Sequence, residues 1–583
     1  MSNRTWIRFT KLSNCHSKQI YLINNKFISL QIRMQRDEIC YFYKKHLKTK
    51  TYTIILKQMN FKFLKTKRLI LVGCILYFSG SLFPVLAIEN RSATVILPTI
   101  PVDTFSIMTY GAVNSTTVDN TTAIQQTRNP CSTAGGGVVL IPAGTFLSGP
   151  LAMKSKINLC IASGSILRIL PYGSGNGIVA GTYPNSGTTN DYTDFIYGKN
   201  LNNIAVTGSG TLDGNGTDWW TAYRASSAIA RPCLIRFDGC TYVLVSGIKL
   251  LNAPNVHLTI GKSGSNATLK NLTIIAPSTA PNTDGIDTWS PNINILNCNI
   301  AVGDDNIAMD SGSQSITVKN CIFGTGHGCS VGSYAANVGN IVVDSCSFTN
   351  TTSGIRLKTA RDRGGLEQYF TYSNITMSGV TTPFYLTSYY PKEPTSPSSD
   401  PAQAITATTP TWQHLLFKNI TVTGSPNAGI IWGLPEQSIS DVVFDNVSIS
   451  ATTGMKAYFV SGLVFKNGSH ITATSGSAVT IYTTSVSGII LTTGKADISG
   501  LDDMQNRLIT CYPNPLKDGI LKVTAPCTID LIRVTTVGGV TVKNIKCNSS
   551  SLTQNVSELP KGIYIVEIRL IDKSFLIQRI IIL

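Results

Sequence analysis

Ile293-Asn-Ile-Leu-Asn-Cys-Asn-Ile300, Ile316-Thr-Val-Lys-Asn-Cys-Ile-Phe323 and Ile341-Val-Val-Asp-Ser-Cys-Ser-Phe348 are three copies of one eight-residue pattern. Val243–Leu250 and Thr268–Ile274 precede them in the same pattern, and Phe370–Met377, Leu415–Val422 and Val442–Ile449 continue it. The sixth position is Ile248, Leu272, Cys298, Cys321, Cys346, Ile375, Ile420 and Val447, at successive gaps of 24, 26, 23, 25, 29, 45 and 27 residues. Alternation with period two marks each copy as a short strand, and strands returning every 20–30 residues mark a parallel β-helix, in which each coil buries its inward side chains on the coils above and below. A sandwich of short strands would instead return every ~8–12 residues. Asn at the fifth position (Asn271, Asn297, Asn320, Asn374, Asn419, Asn446) suits a sharp corner, because its short polar side chain tolerates the left-handed conformation.

The solenoid extends beyond these copies. Gly135–Gly144 and Gly208–Gly214 read as earlier coils, and Asp119–Gln126 as a short helix capping the open end. The 45-residue gap holds an insertion at about 378–414, rich in Pro, Ser and Tyr, which would hang from one corner as a cleft wall. Past a polar stretch at 494–507, strand patterns at Ile520–Thr524, Ile529–Thr535, Val540–Ile545 and Ile563–Leu570 recur at the short spacing of a small β-sandwich. The expected fold class is therefore all-β, a parallel β-helix over 88–500 followed by a C-terminal β-sandwich domain over 501–583.

With 43% apolar and only 14% charged residues, the 583-residue chain is neither a disordered polyelectrolyte nor a coiled coil. Its net charge of +17 is concentrated at one end, since residues 1–68 carry +14 and leave +3 for the rest. That distribution gives no argument for a nucleic-acid partner. Met59 opens a basic stretch (Lys62 to Arg68) and an uncharged run from Leu69 to Ala87 that ends in Val85-Leu86-Ala87. This pattern is expected of a signal peptide over 59–87. An uncleaved anchor is weakened by Gly73, Gly80 and Pro84, and the run before Cys74 is short for a lipoprotein box. Residues 1–58 then have no evident role, and the expectation is that Met59 is the true initiator. The 11 cysteines past Ala87 permit disulfides, but Cys298, Cys321 and Cys346 are better explained as a packed column.

Four polar clusters interrupt the repeat: Asn282-Thr-Asp-Gly-Ile-Asp287, Gly303-Asp-Asp-Asn306, Gly324-Thr-Gly-His-Gly328 and Arg356-Leu-Lys358. Asp284, Asp304, His327 and Arg356 are separated by steps of 20, 23 and 29 residues, about one coil each, so stacking would bring all four clusters to one face within ~15 Å. Neighbouring carboxylates can divide labour, one held protonated as a general acid and another activating water, as glycosidic hydrolysis requires. Arg356 and Lys358 point the same way on a strand and would bind an anionic substrate group. Asp304 and Asp305 are adjacent, however, and both serve one site only if the chain bends at Gly303. Asp287 and Asp213 read as turn carboxylates, Trp219 and Trp220 as packing or sugar platforms, and Cys329 as packing rather than a reactive thiol.

The clusters resemble, in order, the signature of the polygalacturonases of glycoside hydrolase family 28. Tyr110-Gly-Ala112, Ile141–Thr145, Gly208–Gly214 with Trp219-Trp220, and Pro383–Tyr390 fit the same family. The resemblance spans roughly 100–470 and implies a right-handed parallel β-helix that cleaves α-1,4-galacturonosyl linkages with inversion, without metal or other cofactor. It implies Asp304 as general acid, Asp284 and Asp305 as the groups that activate water, and His327 as the support of the acid. It also implies a substrate-binding set of Arg356, Lys358, Tyr390 and Asn282. Asn306 and Asp310 depart from the family pattern, and Asp310 would repel a galacturonate carboxylate. Rhamnogalacturonan or xylogalacturonan is the competing substrate, a Ca²⁺-dependent lyase the competing chemistry, and a non-catalytic surface adhesin the competing class. Tyr512-Pro-Asn-Pro515, Val537-Gly-Gly539 and Lys561-Gly-Ile-Tyr564 resemble the C-terminal sorting domain of type IX secretion cargo, with an accessory carbohydrate-binding sandwich as the rival reading. The implied protein is a secreted or cell-surface monomer whose partners are an acidic polysaccharide and the secretion machinery.

Overall fold

In a computed structural model of the chain, residues 93–173, 181–185, 192–482, 490–491, 510–513, 515–525, 528–537, 540–571 and 575–583 are described. The two expected N-terminal segments (1–58 and 59–87) and the polar stretch 494–507 lie outside the described residues.

The repeat copies build a parallel β-helix with three faces, and the copies from Val243 to Phe348 each turn a corner, giving one strand to the first face and one to the second. The first face stacks Thr241–Ser246, Ser265–Lys270, Ile293–Leu296, Gln314–Lys319 and Gly339–Asp344. The second stacks Lys249–Leu251, Thr273–Ile275, Asn299–Ala301, Ile322–Phe323 and Ser347–Thr349. The third stacks Leu258–Ile260, Ile286–Thr288, Ile307–Met309, Cys329–Val331, Ser353–Lys358 and Thr382–Thr387. All these pairings are parallel.

The inward positions form continuous columns. One runs Val245, Leu269, Ile295, Val318, Val343, Tyr372, Phe417, Phe444 and Phe465, each paired with the next in register. Each buried aliphatic or aromatic side chain contributes about 1.5–3 kcal/mol, and a coil presents its apolar rows on both sides, so the core has no natural end except a cap. Helix α1 (Thr121–Thr133) supplies one, burying Ile124, Thr127 and Cys131, and it runs about two turns past the span expected from sequence. Helix α2 (Thr217–Ala225) buries both tryptophans: Trp219 lies among Tyr172, Tyr183 and Tyr192, while Trp220 donates its indole N–H to the Ala253 carbonyl at 3.0 Å. Both are packing residues.

The corner asparagines adopt the left-handed conformation as expected, with φ between 53° and 57° at Asn271, Asn297, Asn320, Asn374, Asn419 and Asn446. Their amides also form a ladder. Asn297 donates to Asn271 at 3.2 Å, Asn320 to Asn297 at 3.2 Å, Asn419 to Asn374 at 3.0 Å and Asn446 to Asn419 at 2.9 Å. Cys298, Cys321 and Cys346 are buried in the expected column, and they, Cys131, Cys160, Cys233, Cys240, Cys329 and Cys547 are free thiols. The insertion is shorter than expected: Thr382–Thr387 belongs to the third face, so only residues 388–410 leave the solenoid.

The C-terminal region has its own core, including Leu521, Val523, Ile532, Val534, Val566 and Ile568. It forms two antiparallel sheets. One holds Thr510–Tyr512, Ile520–Thr524 and Ser551–Asn555. The other holds Thr541–Lys546, Ile529–Thr536, Gly562–Leu570 and Phe575–Ile582. Ser551–Asn555 escaped the sequence reading because it alternates Ser, Thr and Asn with Leu and Gln and has no apolar row.

Candidate active site

The four polar clusters meet on the third face. The register aligns Ile286, Ile307, Cys329, Ile355 and Phe384 as an inward column, and Asp287, Ala308, Ser330, Arg356 and Tyr385 as an outward file. Asp284, Asp304-Asp305 and His327 stand in the bends that lead into three successive strands of this face, with Arg356 and Lys358 outward on the fourth. The inward, fully buried Cys329 is thereby excluded from the site.

The adjacent aspartates both reach the site because neither is in a strand, which begins only at Ile307. The bend is tight at Gly303, where a Cβ would stand 2.1 Å from the Ala280 carbonyl oxygen. The Asp305 backbone N–H donates to Asp304 Oδ1 at 2.9 Å, turning the first carboxylate back over the chain while the second points into the file. His327 enters through Gly328, whose φ of +83° and 2.2 Å Cβ clearance from the Ser353 carbonyl both demand glycine. The His327 N–H binds the Asp304 carbonyl at 2.8 Å.

Asp305 is the electrostatic centre. Its Oδ1 accepts from Ser330 Oγ at 2.7 Å and Arg356 Nη1 at 2.7 Å, and its Oδ2 from Lys358 Nζ at 2.8 Å. His327 Nδ1 lies 2.9 Å from Asp304 Oδ1 and 4.0 Å from Asp305 Oδ1. Tyr390 covers the cations, with Lys358 Nζ 4.9 Å and the Arg356 guanidinium 5.7 Å from its ring centre. Arg361 binds Asp400 and Glu436, and the Tyr389 hydroxyl donates to Asp400 at 2.7 Å, which ties residues 388–410 to the solenoid beside Tyr390. These contacts link Asp304, Asp305, His327, Arg356, Lys358 and Tyr390, with Asn282 bonded to Asp304 and Asp284 within electrostatic reach of Asp304 and Asp305.

Several partners escaped the sequence reading. Buried Arg231 donates through Nη1 to the Pro254 and Pro281 carbonyls at 2.9 and 2.6 Å, and through Nη2 to Asn282 Oδ1 at 2.8 Å. Asn282 Nδ2 in turn donates to Asp304 Oδ2 at 3.3 Å. Buried His257 contacts the Asp284 carbonyl through Nδ1 at 3.0 Å while its backbone N–H binds the same oxygen at 2.9 Å. Burial lowers the His257 imidazole to about 4, so it is neutral and structural at ordinary pH. Asp287, expected in a turn, lies in a strand instead, with Oδ1 buried and unbonded. No sequence signal marks Arg231 or His257, because both act through backbone carbonyls and one amide brought near only by stacking.

The carboxylates are pushed apart. Burial raises Asp284 and Asp287 well above the usual range, and neighbouring carboxylates add to it. Burial also lifts Asp310 to about 7. Asp304 goes the other way: burial opposes the shift, but the His327 imidazole 2.9 Å away, then Lys358, hold it below the usual range. Asp304, Asp305 and His327 also bring their ligating atoms within 4.8 Å of one another. A metal there would compete with Arg356 and Lys358 for Asp305, so the donor set fits an ion pair better than a cation site.

A solenoid face that gathers separated carboxylates of unlike proton affinity, with two cations alongside, is a glycoside hydrolase. The chain belongs to the glycosyl hydrolases family 28, whose family model matches residues 131–464. It is 32% identical over 380 residues to the endo-polygalacturonase of Pectobacterium carotovorum subsp. carotovorum, a match covering 60% of this chain and 86% of that enzyme. It is 30% identical over 368 residues to a polygalacturonase of Chamaecyparis obtusa, covering 60% of this chain and 68% of that one. The exopolygalacturonase structure from Thermotoga maritima shares the fold at a TM-score of 0.52 and 22% identity, over 66% of this chain and 93% of that one. Residues 510–583 match a secretion system C-terminal sorting domain, which marks the protein for export through type IX secretion.

Proposed function

We propose that the protein hydrolyses α-1,4-galacturonosyl linkages of polygalacturonate, with inversion. The observation that carries this reading is the clasp of Arg356 and Lys358 on Asp305 beside Asp304 and His327. It combines a carboxylate pair for acid–base chemistry with cations able to hold a uronate. Asp304 gives its proton to the glycosidic oxygen as the bond to C1 breaks. Water attacks C1 from the opposite face and loses its proton to Asp284 or Asp305. Both Asp304 oxygens accept hydrogen bonds from the protein, which favours the anion. Saccharide binding excludes water and sets a glycosidic oxygen against Asp304, and both effects favour the protonated acid.

A second assignment has its own support. Asp284 is the carboxyl held high and Asp304 the one held low, which suits Asp284 as acid and Asp304 as base. An activated aryl galacturonide, whose leaving group needs no proton, separates the two. If Asp304 is the acid, Asp304→Asn loses about 10²–10⁴-fold on polygalacturonate but keeps most activity on the aryl substrate. If Asp284 is the acid, Asp284→Asn shows that behaviour. Release of reducing ends by Asp304→Asn at the wild-type rate would end both assignments.

The remaining organisation is proposed on the same footing. Residues 59–87 act as a signal peptide, residues 1–58 do not belong to the native protein, the β-helix domain spans 88–500, and the domain at 501–583 carries the exported monomer to the medium or the cell surface. N-terminal sequencing of the native protein tests the first two, with a start near Ile88 expected.

A further inference from the structure

We propose that a second wall, built from the turns that follow the third-face strands, binds additional uronate residues of the polymer through a cation–aromatic–aromatic–cation row: Lys262, Trp289, Tyr334 and Arg363. This rests on the polygalacturonate reading and extends it beyond the cleavage point.

Lys262, Trp289, Tyr334 and Arg363 follow the strands Leu258–Ile260, Ile286–Thr288, Cys329–Val331 and Ser353–Lys358. The last three strands belong to the coils that carry Asp284, His327 and Lys358, so the row runs along the same coils as the proposed chemistry. Parallel stacking at ~4.8 Å per coil makes the four turns one ladder. The coil between Trp289 and Tyr334 contributes the buried Asp310 and the small Ser311 and Gly312 at this level, so the two rings meet across it with centroids 6.3 Å apart. Ser311 Oγ holds the Tyr334 carbonyl at 2.9 Å. Lys262 Nζ lies 5.0 Å from the Trp289 ring centre, and the Arg363 guanidinium 4.8 Å from that of Tyr334. Among the described residues the Arg363 side chain is otherwise ion-paired only with the exposed Asp362, at 3.9 Å.

Tyr334 is 50% exposed. Its packing leaves it half solvated, yet it is held in place by neighbours on two coils. Its backbone N–H donates to Asp310 Oδ1 at 3.1 Å, and both Lys358 and Lys262 act electrostatically on Asp310. Asp310 therefore lies between the proposed catalytic floor and the row; buried, turned to the Tyr334 N–H and raised to about 7, it is neutral on the acid side and does not then repel a uronate as its charge would. The chemistry of the row matches a uronic acid: the pyranose offers a C–H face to an aromatic ring, and its carboxylate, at the ring edge, meets a cation already held beside that ring. A neutral polysaccharide would use the rings alone.

The test is Trp289→Ala/Tyr334→Ala in the full chain, assayed on polygalacturonate and on trigalacturonate. KM for the polymer should rise about tenfold, while kcat/KM on the trimer stays within twofold. An unchanged polymer KM, or an equal loss on both substrates, overturns the proposal. Should that variant misfold, Lys262→Gln/Arg363→Gln changes only the cations and should raise polymer KM and weaken its dependence on salt. An unaltered salt dependence there overturns the proposal equally. Failure of the wild type to cleave polygalacturonate would remove the underlying reading, whereas cleavage with KM indifferent to all four residues removes only the row.

Discussion

Lys358 Nζ lies 2.8 Å from Asp305 Oδ2, and both side chains are almost wholly buried. The sequence resemblance gave the lysine to the substrate and the aspartate to catalysis, yet in the structure they bind each other. The contact fixes both side chains, and it holds the Lys358 head group where a uronate carboxylate would arrive.

Breaking this pair leaves the buried Asp305 with Arg356 as its remaining cation and Oδ2 without its lysine partner. Lys358→Met should cost about 3 kcal/mol of stability, measured by denaturant unfolding, and raise KM for polygalacturonate more than it lowers kcat. Adding Asp305→Asn to Lys358→Met should cost less than Asp305→Asn does in the wild type, because one of its two cation partners is already gone. Strict additivity would show that the contact carries no coupling.

Arg231 acts at one remove from the chemistry. By binding Asn282 Oδ1 it turns the amide nitrogen toward Asp304, which stabilises that carboxylate as an anion. It also places a positive charge near Asp284. Arg231→Met removes both effects, and both removals raise carboxyl pKa values. The whole bell of kcat/KM against pH should therefore move toward alkaline pH, with the fall in kcat exceeding the rise in KM. A residue that only packed would lower activity without moving the bell.

Stability should fall as pH rises through neutrality. Asp310, lifted to about 7, and Glu367, lifted to about 8, stay protonated in the folded chain over a range where the unfolded chain has already released those protons. The folded state then binds more protons than the unfolded state, so each group costs stability progressively from about pH 4 up to its folded pKa, a few kcal/mol per group in order of magnitude. Asp344, Asp400 and Glu436 have depressed values, and their contribution is lost at the acid end instead. Tm should be highest on the mildly acidic side, and Asp310→Asn and Glu367→Gln should each flatten the decline between pH 5 and 8.

The asparagine ladder predicts a cost at a position remote from the site. Asn320 has φ of 55° and donates to Asn297. Asn320→Ala loses the hydrogen bond and places a Cβ without compensation in the left-handed region, for about 1–2 kcal/mol. Asn320→Gly should lose less, since only the hydrogen bond is forfeited. Equal losses would show that backbone strain is not the main term.

The repeat and the motif spacing carried most of the architecture. A solenoid writes its coil length into the chain, because every coil must return its apolar row to the same column, and Ile293, Ile316 and Ile341 do so within a residue or two of a constant step. For the same reason Asp284, Asp304, His327 and Arg356 could be placed on one face from spacing alone. What the sequence could not specify is direction and partnership. That Asp304 and Asp305 turn apart depends on a bend packed against the Ala280 carbonyl. That Arg231 sets the Asn282 amide depends on carbonyls contributed by two other coils. That Asp304 is held low while Asp284 is held high depends on enclosure and on the distances to His327 and Lys358. Periodicity is a property of the chain and survives in one dimension; hydrogen-bond geometry and electrostatic coupling fall off over a few ångströms, and exist only once the coils are stacked.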